Sequence, residues 1–192
     1  MERKLDRLYK ECISELNKIG IDILTLEIGK IRIGISSRSN KRYGCCKQEE
    51  PDKTTKYYQK IGKKNYIRYA KYKKHYIEIS VWVMNLEEQI IKNTIMHEII
   101  HCFPYCNNHG SEFKKYAKYN NEHLGYEISR VGNKKEDYIK SNLQYEEERR
   151  FKYRIMCQKC GQTVYRQRLM KNLTKKYKCG KCSGKLIIEC LK

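Results

Sequence analysis

Asn85–Pro104 reads NLEEQIIKNTIMHEIIHCFP, and this stretch decides the fold. Leu86, Ile90, Ile91, Ile95, Ile99 and Phe103 recur at helical spacing, which predicts one long amphipathic helix. Asn85 with Glu88 three residues on has the form of a capping box, and Pro104 marks the end. His97-Glu98-Ile99-Ile100-His101 falls inside that helix. Four residues along a helix is about 6 Å of rise and about 40° of rotation, so both imidazoles leave one face close enough to share an ion. Glu98 lies about 100° around, too far to join them as a direct ligand but able to reach a water in an open coordination position.

Two histidines with an acid directly after the first suit metal-assisted hydrolysis. Zinc held by three protein ligands lowers the pKa of its water to roughly 7, and a neighbouring carboxylate can take the proton and pass it to a leaving amine. Glu98 is therefore the candidate catalytic residue, and His97 and His101 are candidate ligands. The chain has five histidines. His109 is the leading third ligand, because Pro104 and Asn107-Asn108 let the chain fold back on the helix. Glu122, on the next helix, is the rival. His123 is expected to face solvent, and Cys102 and Cys106 to be small packing residues, since a fourth protein ligand would close the position that catalysis needs.

Upstream, Leu5, Leu8, Cys12, Ile13, Leu16 and Ile19 predict a first helix closed by Gly20. Ile21–Ile28 and Ile31–Ile35 alternate and are β-branched, so both are expected to be strands around a turn at Gly29-Lys30. Lys41–Lys47 looks like a further strand, and His75–Val81 is the best-patterned one. Glu49 to Lys74 is Lys- and Tyr-rich and is expected to be a long loop or ragged hairpin. Within it, Lys53 to Lys74 is a weaker candidate for nucleic-acid contact and is expected to be a solvated hairpin near the cleft, where it can line a substrate. Trp82 is expected in the core. Downstream, a second helix starts near Ser111 and stops at Gly125. Lys134 to Arg150 is highly charged without a convincing apolar face and is expected to be a helical connector, with a domain boundary near Arg150.

Cys157-Gln-Lys-Cys160 and Cys179-Gly-Lys-Cys182 form two CxxC knuckles, and four thiolates at this spacing complete a closed tetrahedral zinc site. A closed site holds no reactive water, so this metal is structural. At roughly 40 residues the segment is too short to build a core without it. Arg154, Arg166, Arg168, Lys171, Lys175 and Lys176, with tyrosines between them, are candidates for gripping phosphates and stacking on unpaired bases. Cys12, Cys45, Cys46 and Cys190 show no ligand spacing. Adjacent Cys45 and Cys46 face opposite ways in a strand and make a poor metal pair.

The chain has 192 residues, with 42 Lys+Arg against 22 Asp+Glu and a formal net charge of +20. That excess attracts polyanions such as nucleic acid. Ten cysteines would suit a secreted disulfide scaffold. However, the charged N-terminal helix has no apolar signal core, and no stretch is apolar enough to span a bilayer. An intracellular, cytoplasmic location with reduced, metal-binding thiols is expected.

His97-Glu-Ile-Ile-His101 followed by Asn108-His109-Gly110-Ser-Glu-Phe113 resembles the SprT-like zinc metalloprotease family, as does the Arg42-Tyr43-Gly44-Cys45-Cys46 segment upstream. The resemblance implies an α+β, minigluzincin-like domain (1–150) with a small sheet packed on the HExxH helix, followed by a zinc ribbon (151–192). It implies His97, His101 and His109 as ligands and Glu98 as general base. Two zinc ions per chain are expected, one catalytic and one structural. Relatives of Spartan cleave proteins crosslinked to DNA in a DNA-dependent manner. The expected function is thus a zinc endopeptidase acting on DNA-associated or DNA-crosslinked proteins, in a DNA-damage response. The expected partners are a protein substrate and single-stranded or damaged DNA. The alternative is a zinc-stabilised nucleic-acid-binding module without proteolytic activity.

Overall fold

A computed structural model of the chain describes residues 1–23, 25–38, 41–145 and 151–191. It is a mixed α+β protein in two compact units, Met1–Tyr145 and Glu146–Lys192. The expected boundary at Arg150 and the end of the charged connector lie outside the described residues.

The first unit is built on helix α1 (Glu2–Lys18), strands β1 (Lys30–Ser36), β2 (Gly44–Pro51) and β5 (Tyr72–Ser80), and helices α2 (Glu88–Ile100) and α3 (Ser111–Leu124). The strand order is β1-β5-β2, with β1 parallel and β2 antiparallel to β5. In central β5, Ile77 and Ile79 are fully buried and join the core, where Leu5, Leu8 and Leu16 of α1 meet Ile91, Ile95 and Ile99 of α2. Alternation along β5 sends Glu78 to the other face. There Arg42 (3.2 Å) and Lys47 (2.5 Å) offset its charge. The helices are clamped by Arg7–Glu88 at 2.6 Å and by Lys92 against Glu15.

Three expected elements differ. Ile21–Ile28 is not a strand over its described residues. The Asp22 carbonyl accepts from the Leu26 amide and the Thr25 hydroxyl, curling the chain into turns. Glu27 and Gly29 then take positive φ. Its alternating apolar residues anchor the loop instead, with Ile28 buried and Ile21, Ile23 and Leu26 packed on the core. Gly29 is required there, because a Cβ would sit 2.4 Å from the Lys73 carbonyl oxygen. The Asn85 capping box does not form: Asn85 closes a 3₁₀ turn, Glu87 is the N-cap, and its amide donates to Ser141 Oγ at 2.9 Å. The helix also stops at Ile100 rather than at Pro104, as i→i+3 bonds from Cys102 to Ile99 and from Phe103 to Ile100 tighten its end.

Residues 56–69 form an antiparallel hairpin of β3 (Lys56–Ile61) and β4 (Lys64–Tyr69) turning at Gly62. Helix α4 (Lys134–Lys140) is more than a connector. Tyr138 stacks 6.0 Å from Trp82, and Asp137 accepts from the Tyr43 hydroxyl at 2.5 Å, so α4 packs within the first unit. Trp82 is buried as expected.

The second unit is a three-stranded antiparallel sheet, β7-β6-β8, of β6 (Tyr153–Cys157), β7 (Thr163–Arg166) and β8 (Leu186–Cys190), with a short helix α5 (Leu173–Lys176). Among the described residues its buried side chains are Ile155, Leu173, Cys157 and Cys179. That is too small an apolar core to stabilise such a unit alone. No described helix is long and apolar enough to cross a membrane.

Candidate metal centre and cleft

His97 lies in the last turn of α2, His101 is its C-cap, and His109 sits in the loop before α3. The loop is held from three sides. Gln48 Nε2 donates to the His101 carbonyl at 2.8 Å, Asn107 Nδ2 donates to the Tyr69 carbonyl at 2.9 Å, and the Tyr105 amide reaches the Ala70 carbonyl. The loop thereby returns over the helix face and brings three imidazoles together. His109 Nε2 is 3.0 Å from His97 Nε2 and 3.3 Å from His101 Nε2. Phe113, one turn into α3, packs against all three rings with centroids 4.6–4.8 Å away.

Outer contacts set which nitrogen faces the centre. The Cys106 carbonyl lies 2.7 Å from His101 Nδ1 and can only accept, so Nδ1 carries the proton and Nε2 presents its lone pair inward. His97 is likewise hydrogen-bonded to the Ser129 main chain. Burial, with His101 and His109 adding to it, pushes the His97 imidazole down to about 3, and burial also lowers His101. His109 is lowered by burial and then by Arg130. The three are therefore neutral donors near pH 7. Zinc–nitrogen bonds of about 2.0–2.1 Å at tetrahedral angles put ligand nitrogens about 3.3 Å apart, so the observed spacings fit that ion. Glu122 is outside the cluster, exposed and ion-paired with Lys118 at 3.7 Å. His123 is exposed and hydrogen-bonded to the Tyr119 carbonyl.

Glu98 is 6% exposed and lines the same cleft, whose volume is about 850 Å³. Burial raises its carboxyl to about 8, against which the Cys46 amide and Arg42 act. Gly44 makes the space for it, since a Cβ there would lie 2.8 Å from Glu98 Oε1. The supporting roles of Gly44, Ser129, Cys106 and Arg130 were not foreseen. Only Gly44 carried a signal, as a glycine inside a strand pattern, which marks close approach. Among the described side chains, none of residues 53–74 lines the cleft, contrary to expectation. Its walls are instead residues 41–46 and Gln48, α2 and His101, the 107–109 loop, residues 127–133, and Glu136, Asp137 and Lys140 of α4.

Among the described residues, three groups of donors could hold a metal ion: His97, His101 and His109; Cys157, Cys160, Cys179 and Cys182; and Cys46, His75 and Cys102. Residues 9–132 match the SprT-like family. The chain belongs to the SprT-like family. It is 35% identical over 98 residues to the "Protein SprT-like" of Lactococcus lactis subsp. lactis (strain IL1403), covering 51% of this chain and 57% of that protein. The chain thus spans a little over half of that SprT-like relative's length. No solved structure matches. The family match ends before the four-cysteine unit.

In that unit, Cys157 Sγ is 3.4 Å from Cys182 Sγ, and Cys160 Sγ is 3.6 Å from Cys179 Sγ. Tetrahedral zinc–sulfur bonds of about 2.3 Å require sulfurs about 3.8 Å apart, so this group is compatible with a zinc ribbon. The knuckles are built alike. The Gly161 amide donates to the Cys157 carbonyl and the Ser183 amide to the Cys179 carbonyl, both donors at positive φ. Amides of Cys160 and Lys159 point at Cys157 and hold its thiol down at about 6. Gly184 admits Cys157 Sγ, 2.7 Å from where its Cβ would stand. The basic candidates are spread over the unit. Arg166 lies opposite Tyr153, whereas Arg154, on the other face, pairs with Glu189 at 3.5 Å. Arg166, Arg168, Lys171, Lys175 and Lys176 are exposed.

Proposed function

We propose that this chain is a zinc-dependent endopeptidase of minigluzincin type that acts on DNA-associated proteins. The observation that carries the catalytic half is the convergence of His97, His101 and His109 Nε2 beside a buried Glu98 in an open cleft. His97, His101 and His109 would hold the catalytic ion, and Cys157, Cys160, Cys179 and Cys182 a structural one. When bound, zinc supplies Lewis acidity, polarising a carbonyl and acidifying water. Glu98 is the base. It accepts the proton of water as the scissile carbonyl is attacked and delivers it to the departing amine. The Cys46 amide and the space over Gly44 fix its position. A cation among the histidines favours its carboxylate form.

β2 pairs with β5 on one side, and its Gly44–Cys46 backbone lines the cleft. Among the described strands β2 is at the edge of its sheet, and an extended peptide can add there. The DNA half rests on the +20 charge, the exposed cations of the second unit and the interleaved Tyr153, Tyr165 and Tyr177.

The test is proteolysis of a DNA-binding protein by the zinc-loaded chain, with and without single-stranded DNA. Cleavage that DNA accelerates supports both halves. Cleavage indifferent to DNA removes the second half. DNA binding without cleavage leaves the zinc-stabilised binding module.

A further inference from the structure

The third donor group belongs to neither predicted site and shares no residue with them. We propose that Cys46, His75 and Cys102 form a third metal site, for a thiophilic d¹⁰ cation such as zinc. The three residues are remote in sequence, and the fold brings them together for identifiable reasons. In the β2–β5 register Gln48 lies opposite His75 and Cys46 opposite Ile77, so Cys46 is a diagonal neighbour of His75 on one face of the sheet. That face is the one bearing Ile77 and Ile79 against the helices. Cys102 enters from the tightened turn after α2, where its thiol also donates to the Glu98 carbonyl at 3.6 Å.

The separations suit coordination. Cys46 Sγ is 3.6 Å from Cys102 Sγ and 3.9 Å from His75 Nδ1. A tetrahedral zinc ion holds two thiolates about 3.8 Å apart, and a thiolate and an imidazole about 3.6 Å apart. His75 is 2% exposed, and its Nε2 has no hydrogen-bond partner among the described residues. A buried imidazole whose hydrogen-bond partner among the described residues is a weakly bonding thiol is poorly satisfied as a core residue. As a ligand it gains a strong bond, and two sulfurs with one nitrogen select soft or borderline cations over magnesium or calcium. Binding releases both thiol protons. The ion would tie β2, β5 and the end of α2 at one point, holding the Cys46 amide where it meets Glu98. Its role is structural, and it bears on the proposed chemistry only through the position of that amide.

Cadmium-113 NMR of the reduced, full-length chain tests this directly, because thiolate ligands move the cadmium signal downfield in order of their number. Three resonances are expected: four-thiolate furthest downfield, three-imidazole furthest upfield, and a two-thiolate, one-imidazole signal between them. Cys46→Ala and His75→Ala should each abolish the middle signal and keep the other two: the upfield signal reports that the first unit is still folded and loaded, and the downfield signal that the second is. Cys45→Ala should retain the middle signal. Absence of a middle resonance in the wild type overturns the proposal, as does a middle resonance that survives both substitutions.

Discussion

The Glu98 carboxylate fits beside β2 only because Gly44 leaves it room. A methyl group at position 44 would stand 2.8 Å from Glu98 Oε1 and force the carboxylate aside. Gly44→Ala should therefore lower kcat/KM for peptide hydrolysis roughly 10- to 100-fold while leaving metal content unchanged, since catalytic groups displaced by about 1 Å lose rates on that order. Elemental analysis alongside kinetics checks this. The ligand assignment makes a sharper prediction. His109→Ala should remove one zinc equivalent and Glu122→Ala none, because the Glu122 side chain is engaged with Lys118 on the surface. The histidines and Glu98 were legible because their chemistry is written in short spacings that a helix and one return loop convert directly into geometry. Gly44 and His75 were not, because their neighbours come from β2, β5 and α2. His75 looks like any strand residue until Cys46 and Cys102 arrive beside it.

The same division holds for elements. α3 and its stop at Gly125, which takes φ +69°, follow local rules and were read with the right bounds. The start of α2 did not obey its local signal. Leu86 is buried and its amide bonds to Val83, so Asn85 is committed to a 3₁₀ turn and cannot cap. The capping partner is Ser141, just past α4. Ser141→Ala should cost about 1 kcal/mol, the usual worth of a hydrogen bond to a terminal amide, and lower the melting temperature by a few degrees without altering metal content. Thermal unfolding in the presence of saturating zinc measures this. Ile21–Ile28 failed for a related reason. Its alternation has a strand's pattern, but Asp22 and Gly29 dictate turns, and its apolar side chains are satisfied by the core without pairing.

At the scale of the whole molecule, the net charge was the plainest feature of the sequence and the one the fold explains least. The exposed cations of the four-cysteine unit make its part testable. Affinity for single-stranded DNA should fall steeply with salt, and Arg166→Ala should reduce the slope of log K against log salt by roughly 0.7 if that residue meets one phosphate. Titrations over a salt series decide it. The central claim, however, is that the histidine cluster and Glu98 hydrolyse peptide bonds together, and it is tested most directly by Glu98→Gln. With the same zinc content as the wild type, that variant should lose cleavage of a protein substrate by at least about 100-fold, as expected for removal of a general base. A Glu98→Gln chain that carries its full zinc and cleaves at the wild-type rate would contradict the account.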